Sequence, residues 1–436
     1  MRTVQFKRRL AGTAAALSLA STLGACSDLL EVTNPGAISE STPDDPKMVV
    51  ELLNSPLGEF QRMYTANAYW GGLLSDEFVN GHNYFQRKEF DLRQFDEKNS
   101  QLTEVYNPVQ RARALGEDIV KRVEEAVGSS VNSDIRFAEA LAYTGYANVV
   151  LGETFCYAPV SPDEDAILSD AIIERAIPYF ERAIQVAEAY KTQTANPNVA
   201  KADQVINLAR VGGARAALQV GNNAKAISFA KDVPADFVAW IRHSDSKSYL
   251  ENFFYGATTG STHHVGVDEP FRGLNDPRIR YNPTGRKGHN QETILYTPYQ
   301  SSSYSDWTAD GEDQPFTKTA SIRLASGLEA RYILAEAGGM TDAELRAFID
   351  ERRAVGNQGP YAGADLQAEL RDQRRRDFFM DGHRLGDLRR YKARYGIDLF
   401  PKGEHPTPNW GEYGTMECYI PHFNERVGNP NYKYRP

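Results

Sequence analysis

The sequence is poor in cysteine, with only Cys26, Cys156 and Cys418 among its 436 residues. Three cysteines cannot form a disulfide framework for a chain of this length. The fold must therefore depend on a hydrophobic core. Whether Cys156 and Cys418 pair requires a geometry that the sequence does not specify, and both alternatives stay open. With 41% apolar and 25% charged residues, the composition is that of a globular protein.

The sequence also lacks a long basic tract. It has 49 Lys and Arg residues and 58 Asp and Glu residues, which gives a net charge of −9. Because binding to nucleic acid depends on clustered cations that neutralise phosphates, this charge pattern argues against a nucleic-acid partner. Outside the N-terminal segment, the densest basic run, at 374–376, is flanked by acidic residues.

Motifs of catalysis and metal binding are absent as well. The sequence contains no GxSxG motif, no Walker loop and no GxGxxG motif after a strand. His263 and His264 are adjacent rather than four residues apart, and no cysteine lies near them. Acidic pairs such as Asp76-Glu77 could serve a glycosidase, but solvated loop acids and helix caps are commoner. We therefore predict a protein that is not an enzyme and has no metal site or cofactor.

The N-terminus has the pattern of a targeting segment. Cationic residues between positions 2 and 9 precede an apolar run over 10–23, which is too short to span a bilayer. The run ends in Leu23-Gly24-Ala25-Cys26, which resembles a bacterial lipobox. We predict a signal peptide over 1–25, lipidation of Cys26 and a tether over 26–46, so that the mature protein is anchored by lipid. An ordinary secretory leader is the alternative.

The rest of the chain predicts one mainly α domain over 47–436. A helix over 48–69 should end at Tyr69-Trp70-Gly71-Gly72, because paired glycines interrupt the helical period. Between about 107 and 233, helices rich in small residues recur with Gly turns and resemble tetratricopeptide (TPR) hairpins, which predicts an α-α superhelical scaffold. Generic helical hairpins without that ancestry are the alternative. A loop-rich aromatic insertion over about 238–320, C-terminal helices over about 321–396 and a wrapping tail over 397–436 complete the prediction.

Aromatic residues in the predicted loops suggest ligand binding. Flat sugar faces stack on aromatic rings, while neighbouring polar groups bind the hydroxyls. The first candidate platform combines Tyr299, Tyr304 and Trp307 beside Asp306, and Trp70 is the second. The alternative is that these rings only pin long loops to the helical body.

The stretch over 374–390 combines charges with large apolar residues. Placed on one continuous helix, Arg374, Asp377, Asp381 and Arg384 follow one another at spacings of three and four, on the same side as Leu385 and Leu388. Charges on an apolar face indicate a partly buried ionic network in which every member is paired. We predict that these four residues, together with Asp387, form a structural clamp.

Several separated stretches together resemble the SusD/RagB family. They are the lipobox followed by 26–36, the TPR-like hairpins, the segments 323–337 and 374–390, Tyr419-Ile420-Pro421 and Asn429-Pro430. One departure is Leu385-Gly386, where that family usually has an aromatic pair. The resemblance implies a lipid-anchored protein on the outer membrane, facing the exterior, which binds a nutrient and delivers it to a SusC-like TonB-dependent transporter.

The resemblance does not identify the ligand, because binding residues vary within the family. Only the type of aromatic platform carries over, to Trp70, Tyr304 and Trp307. We expect non-catalytic capture of a nutrient, foremost an oligosaccharide, with peptides open. The alternatives are a glycan-processing enzyme and an envelope scaffold that binds no small ligand.

Overall fold

The computed structural model describes residues 50–195, 197–259, 263–309 and 312–433. The predicted leader, the lipidation site Cys26 and the tether therefore lie outside the described residues. Within them the fold is mainly α, as predicted. In chain order the α-helices are α1 Ser55–Leu74, α2 Phe85–Asp91, α3 Leu102–Val127, α4 Ile135–Thr154, α5 Ser169–Glu174, α6 Ala176–Lys191, α7 Val199–Gln219, α8 Asn223–Ala230, α9 Phe253–Thr258, α10 Gly327–Glu336, α11 Asp342–Val355, α12 Leu366–Asp377, α13 Arg384–Tyr395 and α14 Phe423–Gly428.

The N-terminal helices pack largely in chain order, α1 on α3, α3 on α4, α4 on α6, α6 on α7 and α7 on α8. Small residues allow the close approach that the sequence predicted. The Phe180 ring of α6 lies so near Gly145 of α4 and Gly212 of α7 that an added Cβ would be 2.8 Å and 2.4 Å from it. The predicted scaffold of helical hairpins is thus confirmed, with Phe180 filling the space that two glycines leave.

The predicted end of the first helix is wrong. Helix α1 continues through Gly71 and Gly72 to Leu74. Gly72 is buried there, and a Cβ at this position would lie 2.2 Å from the Phe78 ring. The glycine pair therefore forms no turn, and Gly72 provides room for the Phe78 ring.

Short antiparallel strands hold the insertion to the helices. The strands are β1 Phe78–Asn80, β2 Tyr157–Ala158, β3 Ile167–Leu168, β4 Val238–Ile241, β5 Val265–Val267, β6 Arg286–Lys287, β7 Ile294–Leu295 and β8 Ile322–Ser326. Strand β1 pairs with β5, with Phe78 opposite Val267, and β4 pairs with β8, with Val238 opposite Ser326. β2 pairs with β3 and β6 with β7.

The C-terminal tail is fixed to the end of α4. Cys156 and Cys418 form a disulfide bond with an S–S distance of 2.00 Å. Beside it, the Tyr419 amide donates to the Thr154 carbonyl and the Cys156 amide donates to the Tyr419 carbonyl, both at 2.9 Å. The Tyr419 hydroxyl donates to the Trp70 carbonyl, so the tail also contacts α1. The question that the sequence left open is answered in favour of pairing.

The continuous helix predicted over 374–390 is wrong. Helix α12 ends at Asp377 and α13 begins at Arg384, with a turn between them. Two residues of this turn have left-handed backbone angles, Met380 with a φ of 66° and Gly382 with a φ of 90°. Glycine is favoured at such an angle because it has no Cβ.

The five residues of the predicted clamp are nevertheless buried, and here they are called the ionic core: Arg374, Asp377, Asp381, Arg384 and Asp387. Only one pair forms among them, between Arg374 Nε and Asp387 Oδ2 at 2.7 Å. The others reach partners far away in sequence. Arg384, for example, donates two hydrogen bonds of 2.6 Å to Asp76, just beyond the end of α1.

Asp377 receives the most donors in the ionic core. Arg352 of α11 donates two hydrogen bonds of 2.8 Å to it, and the Tyr332 hydroxyl of α10 donates one of 2.6 Å. Arg278 Nη1 lies 3.1 Å from the same carboxylate. Burial alone would raise the pKa of Asp377, but the guanidinium groups of Arg278 and Arg352 lower it to about 2. The carboxylate is therefore ionised and fully partnered.

Asp381 belongs to a second buried set of charges. Its Oδ1 accepts a hydrogen bond from His383 Nδ1 at 2.6 Å, and its Oδ2 lies 3.3 Å from Arg323 Nη2. His383 Nε2 lies 3.2 Å from Glu329, which Arg215 of α7 binds through two hydrogen bonds. Burial and Arg215 lower the pKa of His383, but the carboxylates of Asp381 and Glu329 outweigh them and raise it.

We expect Asp381→Ala to lower the free energy of unfolding by about 3–5 kcal/mol, because it leaves the buried Arg323 and His383 without their shared carboxylate. Denaturant unfolding measures the change. Glu125→Ala, at an exposed position of α3, is the control and should change stability by less than about 0.5 kcal/mol. Equal stabilities of the two variants would contradict a clamp at Asp381.

We expect the stability lost in His383→Gln to depend on pH. Because the folded pKa of His383 is raised, its stabilising effect is complete below its ordinary pKa of about 6.5 and disappears as pH rises through the folded pKa. The difference in unfolding free energy between wild type and variant should therefore be larger at about pH 5.5 than at about pH 9.

His422→Gln is the matched control for this measurement. Burial lowers the pKa of His422, so its pH trend should have the opposite sign. If wild type and His383→Gln differed in unfolding free energy by the same amount at both pH values, then His383 would carry no additional proton in the folded protein.

Candidate functional site

Trp70, one of the predicted platform residues, is buried in α1 and only 3% exposed. Its ring packs edge-on against Phe90 at 5.9 Å, and the Arg87 guanidinium lies 5.0 Å from its centre. The prediction that Trp70 forms an open stacking surface is therefore wrong. Its packing follows from its place on the core side of α1.

The platform predicted at Tyr299, Tyr304, Asp306 and Trp307 does not form as one surface. Tyr304 is 2% exposed, and its hydroxyl donates to the Met380 carbonyl beside the ionic core, so its prediction as a ligand contact is wrong. Trp307 and Tyr299 are half-buried, and Trp307 Nε1 donates to the Pro277 carbonyl. Asp306 is exposed and accepts a hydrogen bond from Ser305. Trp307, Tyr299 and Asp306 stay a prediction.

A groove of about 460 Å³ lies instead between α1, the first turns of α3 and the segment 248–257. We call it the α1 groove. Its size suits a small ligand, and its walls combine rings with charged groups. Among its lining side chains are Arg62, His82, Arg87, Arg111, Tyr249 and Phe253.

Aromatic side chains line the α1 groove and stand beside it. Tyr249 is 56% exposed, and the Arg62 guanidinium lies 4.6 Å from its ring centre. Phe253 is half-buried and packs against Tyr69 at 5.0 Å. Tyr84, next to the lining residue His82, is 50% exposed. The groove therefore offers Tyr249 as an open ring and Tyr84 as a second ring beside it.

The charged side chains of the α1 groove are held in fixed positions. Glu59 binds two guanidinium groups, Arg62 at 2.7 Å and Arg111 at 2.6 Å. Glu251 binds Lys318 at 2.8 Å. Arg87 donates through Nε to the Gln101 side-chain carbonyl at 3.1 Å and forms no salt bridge with a carboxylate in the described part of the chain. The guanidinium groups can donate hydrogen bonds to a polar ligand, and the carboxylates can accept them, without first changing position.

His82 contributes a neutral imidazole to the groove. Burial, and then the charge of Arg87, lower the pKa of His82 to about 3. Its Nδ1 accepts a hydrogen bond from the Tyr84 amide at 3.1 Å, so the proton of the neutral ring resides on Nε2. In the part of the chain that the structure describes, no group of three or more His, Cys, Asp or Glu side chains is arranged to hold a metal ion.

Sequence reasoning missed Tyr84, Arg87 and Tyr249. The relevant signal was present, because Tyr84 and Tyr249 lie in loop-like stretches where a ring has little local packing. Residue type alone does not distinguish an exposed ring from a buried one, so Trp70 and Tyr304 looked equally suitable. Arg87 and Tyr249 line one groove although they are remote in sequence, and Tyr84 lies beside Arg87.

No protein-family model matches the sequence, and no curated protein sequence matches it. Solved structures do match. A SusD-like carbohydrate-binding protein from Bacteroides vulgatus has a TM-score of 0.63 at 15% identity, over 89% of this chain and 97% of that chain. A putative sugar-binding protein from Bacteroides vulgatus has a TM-score of 0.62 at 16% identity, over 89% and 97%. A laminarin-binding SusD-like protein has a TM-score of 0.60 at 12% identity, over 90% and 99%. The chain therefore has the SusD-like fold.

Proposed function

We propose that this protein captures an oligosaccharide in the α1 groove and does not convert it chemically. The observation that carries the proposal is the position of the exposed ring of Tyr249 among fixed hydrogen-bonding side chains. Sugar rings present C–H faces that stack on such aromatic rings, and their hydroxyls accept hydrogen bonds from guanidinium groups. Proteins with this fold that are named as binding carbohydrate, one of them laminarin, support the same ligand class.

The protein's place in the cell is part of the proposal. The lipobox at Cys26 supports lipidation and anchoring of the mature chain, and the resemblance to the SusD/RagB family supports an outer-membrane position facing the exterior. The resemblance to the SusD/RagB family supports delivery of the ligand to a SusC-like TonB-dependent transporter. None of the helices over the described residues is long and apolar enough to span a membrane.

We expect Tyr249→Ala to weaken oligosaccharide binding by about tenfold, because the variant removes a stacking surface from an otherwise intact groove. Calorimetry against a panel of oligosaccharides and peptides measures the affinities. Tyr395→Ala is the matched control, since Tyr395 is also exposed but lies at the end of α13. Its affinities should equal those of the wild type.

Trp307→Ala distinguishes the α1 groove from the loop with Trp307, Tyr299 and Asp306. Loss of binding in this variant, with unchanged binding in Tyr249→Ala, would move the site to that loop. Release of a shortened product from the panel would favour the enzyme alternative. A transporter partner recovered with the protein, without binding to any member of the panel, would favour the scaffold alternative.

A further inference from the structure

The cations of the α1 groove outnumber its carboxylates. Three arginines and two glutamates line it, and one glutamate, Glu251, is already neutralised by Lys318. The other, Glu59, is shared by Arg62 and Arg111, so one carboxylate serves two guanidinium groups. The histidines that line the groove cannot reverse this balance, because an imidazole is either neutral or positively charged. The groove is therefore locally cationic in a chain whose net charge is −9.

Arg87 is the clearest part of this excess. Its guanidinium lies 5.0 Å from the Trp70 ring centre and 5.7 Å from that of Tyr84, and its Nε is bound to Gln101. The Tyr69 ring centre also lies 5.9 Å away, so three rings and one amide hold the group in place, and none of them neutralises its charge. Nε is used by Gln101 and Nη1 is buried, so Nη2 is the donor that remains for a charge-assisted hydrogen bond to a carboxylate.

We infer that the ligand of the α1 groove is an acidic oligosaccharide, and that Arg87 binds the carboxylate of one of its uronic acid units. The inference rests on the proposed function and specifies its substrate class. Tyr249 stacks on a sugar ring, while Arg87, which lines the same groove, receives the carboxylate. A neutral oligosaccharide would leave the charge of Arg87 uncompensated in a half-buried position.

The test compares uronate oligosaccharides with their carboxyl-reduced counterparts, which keep the same linkages and ring stereochemistry but carry no charge. Oligogalacturonates and alginate oligosaccharides are suitable probes, and calorimetry with the wild-type protein gives both affinities. At least one acidic probe should bind about 10- to 100-fold more tightly than its reduced form. Its affinity should also fall as salt rises from about 0.05 M to about 0.5 M, because the added ions screen the charge pair.

Variants assign the effect to Arg87. Arg87→Gln should remove most of the preference for the acidic probe and leave the affinity for the reduced probe nearly unchanged. Arg87→Lys should keep part of the preference, because the charge remains while the guanidinium that Gln101 and the rings hold in place is lost. Arg122→Gln, at a partly exposed salt bridge of α3, is the control and should bind like the wild type. Thermal unfolding checks that each variant is folded, and the wild-type comparison of the two probes needs no variant.

The results of these experiments distinguish a failure of the inference from a failure of the proposed function. Tyr249-dependent binding of neutral oligosaccharides without preference for acidic ones would overturn the inference and leave the proposed function intact. Binding of sulfated oligosaccharides in place of uronates would overturn the assignment of a carboxylate. Binding of no carbohydrate in the panel would overturn the proposed function and the inference with it.

Discussion

The pairing of buried guanidinium and carboxylate groups is the constraint on which the C-terminal half of the fold depends. A charge removed from water is tolerated only where an opposite charge and hydrogen bonds replace the water. Asp377 meets this condition only when Arg278, Arg352 and Tyr332 arrive from three other parts of the chain. The ionic core therefore specifies one arrangement of the insertion, α10, α11 and α12, since any other arrangement would leave a buried charge without a partner.

The ionic core also constrains the α1 groove, because helix α1 contributes to both. At the end of this helix, Arg384 binds Asp76 through two hydrogen bonds, and within it the Tyr64 hydroxyl donates to the Asp381 carbonyl. Residues of α1 near Glu59 and Arg62 line the groove. Because one helix contacts the ionic core and also forms the groove wall, the charges that fix the scaffold also fix the spacing of the groove's donors.

The sequence was informative where a property depends on local pattern. Alternation of charges with large apolar residues predicted that Asp377 and Asp381 are buried, and small residues predicted the helix packing around Phe180. Their partners could not be predicted, because Arg278 and Asp76 are remote in sequence and only the fold brings them near. For the same reason the composition of the loops predicted a surface rich in rings, but it could not show that Trp70 and Tyr304 face inward.

Arginine serves two purposes in this structure, and the partner distinguishes them. Arg374 and Arg384 of the ionic core, and Arg352 bound to it, each pair with a carboxylate of the same chain, so their charges are neutralised within the fold. Arg87 is held instead by aromatic rings and an amide, neither of which carries a compensating charge. Arg87 is thus a fixed cation in the groove with no carboxylate partner among the described residues. It can therefore select a ligand that carries a carboxylate.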